Sequence, residues 1–286
     1  MTCLGVIGGS GLYNLGDQLI KEHNIPTPWG QTSGPICEVE LKGQRVMFLP
    51  RHGKHHHLLP SEVPSKANIY ALKSLGVKHL LSVSAVGIMK EHITPGDLVI
   101  PDQLIDNTRA QRPNSFFGEG CVGHVSLANP FCSIMRKELT SAINDLQHTL
   151  HTEGSYICIE GPQFSSRAES NYYRKAMDPS VIGMTAFPEA RLAREAEMSY
   201  CLLALATDYD CWHESEENVS ADAVIAVVKS NSSKAAQVIT RFVSDFSHKE
   251  CACHSAAAYS IMTPTNEIPG MTREKLDLFY KKYWDK

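Results

Sequence analysis

No apolar run in this 286-residue chain approaches the roughly 20 residues that a membrane-spanning helix needs, so no membrane partner is expected. Basic charge does not cluster, and the formal net charge is −4, which gives no support for a nucleic-acid partner. Ahead of the strand-like run Cys3–Ile7 there is no basic segment and no small-residue cleavage site. A secretory signal is therefore not read, and the cytoplasm is the expected compartment. The nine cysteines are an odd number at no metal-ligand spacing, and free thiols are the simplest reading. In Cys251-Ala-Cys253-His254 one residue separates the thiols, where a haem-attachment site needs two. Whether that pair forms a disulfide stays open. Internal repeats and low-complexity linkers are missing too, which favours one domain.

What is present is ordinary for a soluble globular chain: 43% hydrophobic and 20% charged residues, enough to bury a core. Apolar runs alternate with amphipathic stretches. Strands are expected at Cys3–Ile7, Arg45–Leu49, His79–Ala85, Asp97–Pro101, Ser155–Ile159, Val181–Thr185 and Tyr200–Asp208. Helices are expected at Ser65–Leu75, Pro130–Leu150, Ser166–Ala176 and Pro188–Glu197, and from Ala221 towards Phe246 with Ser220 as N-cap. This alternation predicts an α/β fold, a mixed central sheet flanked by helices. From about Tyr259 the chain turns turn-rich, then reads as a short amphipathic helix over Thr272–Tyr283, a peripheral appendage.

The run Tyr200–Ala206 reads as a strand buried on both faces and ends in Thr207-Asp208-Tyr209-Asp210-Cys211-Trp212. Residues two apart on a strand share a side, so Asp208 and Asp210 are expected as a same-face pair. They leave the strand where open α/β sheets bind ligands. Like charges held close raise the pKa of one partner, so one carboxyl is expected to give up a proton near neutrality.

Upstream segments suggest an anion. Gly8-Gly9-Ser10-Gly11 lets backbone N–H groups approach one, with Ser10 adding a hydroxyl, although a structural turn explains the motif alone. Asn14 stands where a dinucleotide fingerprint needs glycine, and no P-loop lysine follows. Arg51 and His52 offer donors matched to phosphate or carboxylate. His52, His55, His56 and His57 raise the question of a metal, but no HExxH or Cys/Asp set supports one and none is expected. Ser84-Ala85-Val86-Gly87, Glu160–Ser166 and Gly183-Met184-Thr185 each lie at the end of an expected strand and carry small hydroxyl residues. Phe164 could stack on a flat ring, though a core phenylalanine is the commoner role.

The segments GGSG, RHGKHH, PGDLVIPDQLID, IEGPQFSSRAES, GMTAFPEARLAREAEM and TDYDCW resemble, in order from Cys3 to Phe246, the nucleoside phosphorylase superfamily. Within it the chain is most similar to the 5′-methylthioadenosine phosphorylases. The resemblance implies a single-domain α/β fold, a homotrimer, and no cofactor or metal; the phosphorylase domain is expected over 1–250, with the compositionally distinct appendage over 251–286. It implies attack of inorganic phosphate on the nucleoside, releasing adenine. Phosphate would lie on Ser10, Arg51, His52, Ser84, Ala85 and Thr185. Met184 would lie beneath the ribose, with Gly183 beside it, and Phe164 and Ser165 would meet the purine. Asp208 and Asp210 would face purine N7 and the 6-amino group, with Asp208 as proton donor. His124 would reach into a neighbouring subunit's site, and Ala221 and Val224 would line the 5′-methylthio pocket.

Relatives acting on 6-oxopurines carry asparagine at the position of Asp208 and glutamate at that of Ser165, so both residues point to adenine. Many family members have asparagine where Gly183 stands and valine where Ala221 stands. Relaxed sugar specificity is thus open, as are a methylthioinosine substrate, hydrolysis without phosphate and non-catalytic binding.

Overall fold

Tyr200, Leu202, Ala204 and Ala206 pack into one hydrophobic core, and Cys201, Leu203 and Leu205 into another. They alternate along one strand, so the continuous apolar run is buried on both faces, as its composition requires. The computed structural model describes residues 3–9, 18–109, 112–213 and 221–284, apart from the side chains of 221–226 and 228–230.

In chain order the elements are β1 (Cys3–Gly8), β2 (Gln18–His23), β3 (Ile36–Leu41), β4 (Gln44–Pro50), α1 (Ser65–Ser74) and β5 (Val77–Ile88). They continue with β6 (Leu98–Val99), β7 (Gln103–Asn107), α2 (Ser133–Asp145), β8 (Leu150–His151) and β9 (Ser155–Ile159). Then follow α3 (Arg167–Tyr172), β10 (Val181–Gly183), α4 (Ala186–Glu195), β11 (Ser199–Asp208), α5 (Ala221–Asp245) and α6 (Gly270–Trp284). The expected mixed α/β architecture is present. The helix expected over Pro130–Leu150 stops at Asp145: Gln147 takes a left-handed φ of 58°, and Leu150–His151 then pairs with β6. Strands β2, β3 and β7 were not expected.

Strand β5 organises the sheet. Along one edge it runs parallel to β11, from Ser199↔His79 to Asp208↔Gly87. Its other edge serves two neighbours, β1 in parallel at Val77–Ser82 and β10 antiparallel at Gly87–Ile88. Between those two contacts the sheet forks. A fork of this kind is a topological switch point, where strand ends leave a crevice for a ligand.

One core holds α1, α4 and α6 against the sheet; the other holds α2 and α5. In α5 and just beyond it, Ala235, Val238, Ile239, Phe242, Val243 and Phe246 recur at helical spacing on the buried stripe. The C-terminal segment is not peripheral. Leu276, Phe279, Tyr280 and Trp284 of α6 lie in the main core beside Trp29 and Tyr70. The Tyr280 hydroxyl donates to the Glu195 carbonyl at 2.8 Å, tying the tail to the end of α4.

Candidate active site

Arg51 fills the fork. Its backbone N–H donates to Gly8 O at 2.9 Å, which joins β4 to the glycine-rich exit of β1. The guanidinium is buried and donates to Val83 O at 2.9 Å, Ser82 Oγ at 2.7 Å and Glu189 Oε1 at 2.5 Å. Glu189 also accepts from Ser82 and from the Tyr200 hydroxyl. Its buried carboxylate keeps Arg51 charged against the desolvation that burial imposes. Sequence reading found Arg51 but not Glu189, which lies 138 residues away.

Next to Arg51, His52 donates from Nδ1 to the Leu58 carbonyl at 2.9 Å, since a carbonyl can only accept. Burial, reinforced by the Arg51 charge, pushes its pKa down to about 4. The ring is therefore neutral near pH 7, with Nε2 as an acceptor. That differs from the expected imidazole donor.

Ser84 Oγ and Thr185 Oγ1 hydrogen-bond at 2.9 Å across the fork. The Tyr156 hydroxyl sits 3.5 Å from Thr185 Oγ1 and accepts from the Thr185 N–H at 3.3 Å. Tyr156 was not anticipated. Its ring stands on Gly183: a Cβ there would meet the hydroxyl oxygen at 2.1 Å. Gly183 thus leaves the space that this tyrosine hydroxyl occupies. Arg112, also unanticipated, is buried, donates to Met184 O at 2.7 Å and pairs with Glu160 at 2.8 Å. It ties the Glu160–Phe164 turn to the Gly183–Thr185 exit. Arg51, Arg112, Met184, Thr185 and Glu189 line one concavity.

Three residues along β5 from Ser84, about 10 Å at strand spacing, Gly87 meets the aspartates. A Cβ on Gly87 would lie 3.3 Å from Asp208 Oδ1 and 3.5 Å from Asp210 Cβ. The two residues converge, but not as a strand-face pair. β11 bulges just before Asp208 and ends there, and Asp210 takes a left-handed φ of 52°. A turn, not side-chain alternation, returns Asp210 to the Gly87 side.

Asp208 accepts from the Thr207 hydroxyl at 2.6 Å and the Asp210 N–H at 2.9 Å. Burial raises the pKa of both carboxyls. Repulsion from Asp210 adds to the rise at Asp208, but after desolvation rather than in place of it. At Asp210 the hydroxyls of Ser165 and Ser170 oppose the rise, although neither makes a hydrogen bond of ordinary geometry. Ser165 thus stands beside the acidic group expected at the amino edge of a base.

The other anticipated residues scatter. Ala85 is partly exposed between Ser84 and Val86. Phe164 is 41% exposed, not a core residue. His124 is exposed on a strip where its N–H donates to Ser260 O at 2.8 Å. Ser10 and Ser220 lie outside the described residues, as do the side chains of Ala221 and Val224 on α5.

Together these features give an α/β fold with a buried, charged guanidinium and small hydroxyls at the fork and a pair of carboxyls of raised pKa further along β5. A model of the Phosphorylase superfamily matches residues 4–244, and the chain belongs to that superfamily. It is 51% identical over 282 residues to the S-methyl-5′-thioadenosine phosphorylase of Geobacter sulfurreducens, covering 98% of each chain. The enzyme of that name from Synechocystis sp. is 47% identical, over 98% of this chain and 87% of its own. Among solved structures, a methylthioadenosine phosphorylase from an antarctic soil metagenomic library superposes with a TM-score of 0.91 at 45% identity, covering 97% of this chain and 98% of that one. A mutant adenosine/methylthioadenosine phosphorylase from Schistosoma mansoni, in complex with adenine, gives 0.86 at 33%, covering 92% and 99%.

Proposed function

We propose that this chain is a pentosyltransferase that splits S-methyl-5′-thioadenosine with inorganic phosphate, giving adenine and S-methyl-5-thioribose 1-phosphate. The observation that carries the reading is the placement of two groups along β5: the Arg51, Ser84 and Thr185 cluster at the fork, and the half-buried carboxyl of Asp208 against Gly87. About 10 Å between them leaves room for a sugar, with phosphate on one side and the base on the other.

In this reading Arg51, Ser84, Thr185 and the Ser10 turn hold hydrogen phosphate, whose P–OH donates to His52 Nε2. A phosphate oxygen attacks the anomeric carbon as its bond to purine N9 breaks, and the bond electrons pass into the purine ring. Asp208, whose pKa burial raises, donates its proton to N7. Adenine leaves neutral, and Asp208 regains a proton from solvent. General-acid help of this kind is worth roughly 10²–10⁴-fold, and positioned charge adds to it. Asp210 and Ser165 take the 6-amino edge, Phe164 closes on the base, and Met184 lies beneath the ribose. No cofactor or metal enters this chemistry.

We further infer a homotrimer in which His124 completes a neighbour's site. The exposed apolar side chains Val122, Tyr259 and Met262 support it, since they share the strip that carries His124. Among the described residues no helix is long and apolar enough to cross a membrane, which agrees with a cytoplasmic enzyme. The Schistosoma mansoni relative's name includes adenosine, which favours a 5′ pocket, lined by Ala221 and Val224, that also accepts a plain 5′-hydroxyl.

Purified protein should release adenine from methylthioadenosine only when phosphate is present. Equal release in phosphate-free buffer would overturn the phosphorolytic reading in favour of hydrolysis, and faster turnover of the 6-oxo nucleoside would overturn the assignment of the base.

A further inference from the structure

At the opposite end of β11 from Asp208, about 30 Å away at strand spacing, the structure gathers thiols that sequence spacing keeps far apart. Cys132 precedes α2, while Cys251 and Cys253 lie on the turn after α5. The three sulfur atoms lie within 4.8 Å of one another, and Cys132 Sγ is 3.7 Å from Cys251 Sγ. Four-coordinate zinc with bonds of about 2.3 Å separates its sulfur ligands by about 3.8 Å, so the observed spacing suits such an ion with little movement.

The backbone holds the cluster from both sides. Cys132 N–H donates to Tyr200 O at 2.7 Å, and His254 N–H to Cys251 O at 3.0 Å. Ser199 Oγ lies 3.0 Å from Cys251 Sγ and 2.9 Å from His254 Nε2, so the imidazole stands one hydroxyl away from the sulfurs. Its other nitrogen, Nδ1, is 2.6 Å from Glu250 Oε2. Metal-binding histidines are held in this way, with a carboxylate on the far nitrogen fixing the ring. Glu250 is anchored in turn by Lys78 at 2.8 Å.

We propose that Cys132, Cys251, Cys253 and His254 form a binding site for a soft-ligand divalent cation of the zinc type, remote from the active site and stabilising the C-terminal segment. The thiol protons leave to solvent as the metal enters. The site ties the start of α2, the start of β11 and the turn after α5 together. Its role is structural, since the phosphorolytic groups lie at the other end of the sheet.

The test uses the full-length protein, reduced and stripped with a chelator, then titrated with Co(II) and Zn(II). Wild type should take up one Co(II) per chain with a thiolate-to-cobalt charge-transfer band, which Zn(II) abolishes, and zinc should raise Tm. Cys132→Ser and Cys253→Ser should remove the band, and His254→Gln should weaken binding roughly 10–100-fold while leaving every thiol in place. Cys37→Ser should change nothing, and phosphorolysis should be unaffected by Cys253→Ser. The histidine run at 55–57 is separated by the band, since imidazoles alone give no thiolate signal. Absence of the band in reduced wild type, or binding that survives both cysteine variants, would overturn the proposal. So would a disulfide among the three cysteines that persists in reducing buffer.

Discussion

The backbone N–H of Asp210 donates to the carboxylate of Asp208 at 2.9 Å, so the second acid of the pair holds the first in place. The carboxyls are coupled through a turn, and burial is the main cause of the raised pKa of Asp208. An asparagine at 208 can still accept that N–H and fill the same space, but it cannot donate a proton as an acid does. Asp208→Asn should therefore lower kcat by roughly 10²–10⁴-fold with little change in phosphate KM. The sign for stability is opposite. A carboxyl whose folded pKa is raised destabilises the fold at pH values above its unfolded pKa, about 3.9. The variant should melt at least as high as wild type at pH 7, with the advantage vanishing below about pH 4. Loss of activity with a large fall in Tm would point to collapse of the site instead. In wild type, kcat should decline as rising pH removes the Asp208 proton, and steady-state profiles of both proteins test this.

Glu189 holds Arg51 in the proposed phosphate pocket. With both side chains buried and joined at 2.5 Å, removing the carboxylate leaves an uncompensated guanidinium, a loss of roughly 3–5 kcal/mol. Glu189→Gln should lower Tm by roughly 10 °C at this size. Phosphate KM should rise at least tenfold while the methylthioadenosine KM moves little. A change confined to the nucleoside KM would remove Arg51 from the phosphate site.

Tyr156 and Gly183 act as one unit. Tyr156→Phe removes a hydrogen bond from Thr185, worth about 1 kcal/mol, and should raise phosphate KM about fivefold at nearly constant kcat. Gly183→Ala drives a methyl into the ring and should destabilise by roughly 1–3 kcal/mol through overpacking. Pairing it with Tyr156→Leu should recover part of that loss. Additive losses in the double variant, measured by thermal melts, would show that the ring does not fill the space above Gly183.

The elements that could be read in the sequence are those whose chemistry is local. β11 announced itself by a continuous apolar run, and α5 by its helical period. β2 did not, because Gln18–His23 is an exposed edge strand whose polar sequence gives no alternation. β3 hides because Glu38 lies inside it, made tolerable by His23 and Arg45 on neighbouring strands. At the site, Arg51, Thr185 and Asp208 were legible as polar groups at strand exits. Glu189, Arg112 and Tyr156 were not. Their roles depend on partners 138, 72 and 29 residues away, and each resembles a surface or core residue until the fork brings it in. The zinc-type cluster was illegible for the same reason, since 119 residues separate Cys132 from Cys251.

His79 sets part of the acid limit of the fold. It is buried on β5, and neither ring nitrogen has a hydrogen-bond partner among the described residues. Its ring packs edge-on against Phe246, His248 and His254 at 5.0, 5.6 and 4.9 Å. Desolvation, with the neighbouring histidines adding to it, lowers its pKa to about 4. Unfolded, the imidazole takes a proton near 6.5, so between about pH 6.5 and 4 the unfolded chain binds more protons than the folded one. Stability therefore falls as pH drops through that window, by about 2 kcal/mol at pH 5 from this residue. His52 adds to the same limb but belongs to the site. His79→Leu keeps the volume and removes the titration. The variant should match wild type within a few degrees at pH 8 and melt roughly 6 °C higher relative to it at pH 5. An equal difference in Tm at both pH values would mean that His79 is not held neutral in the native state.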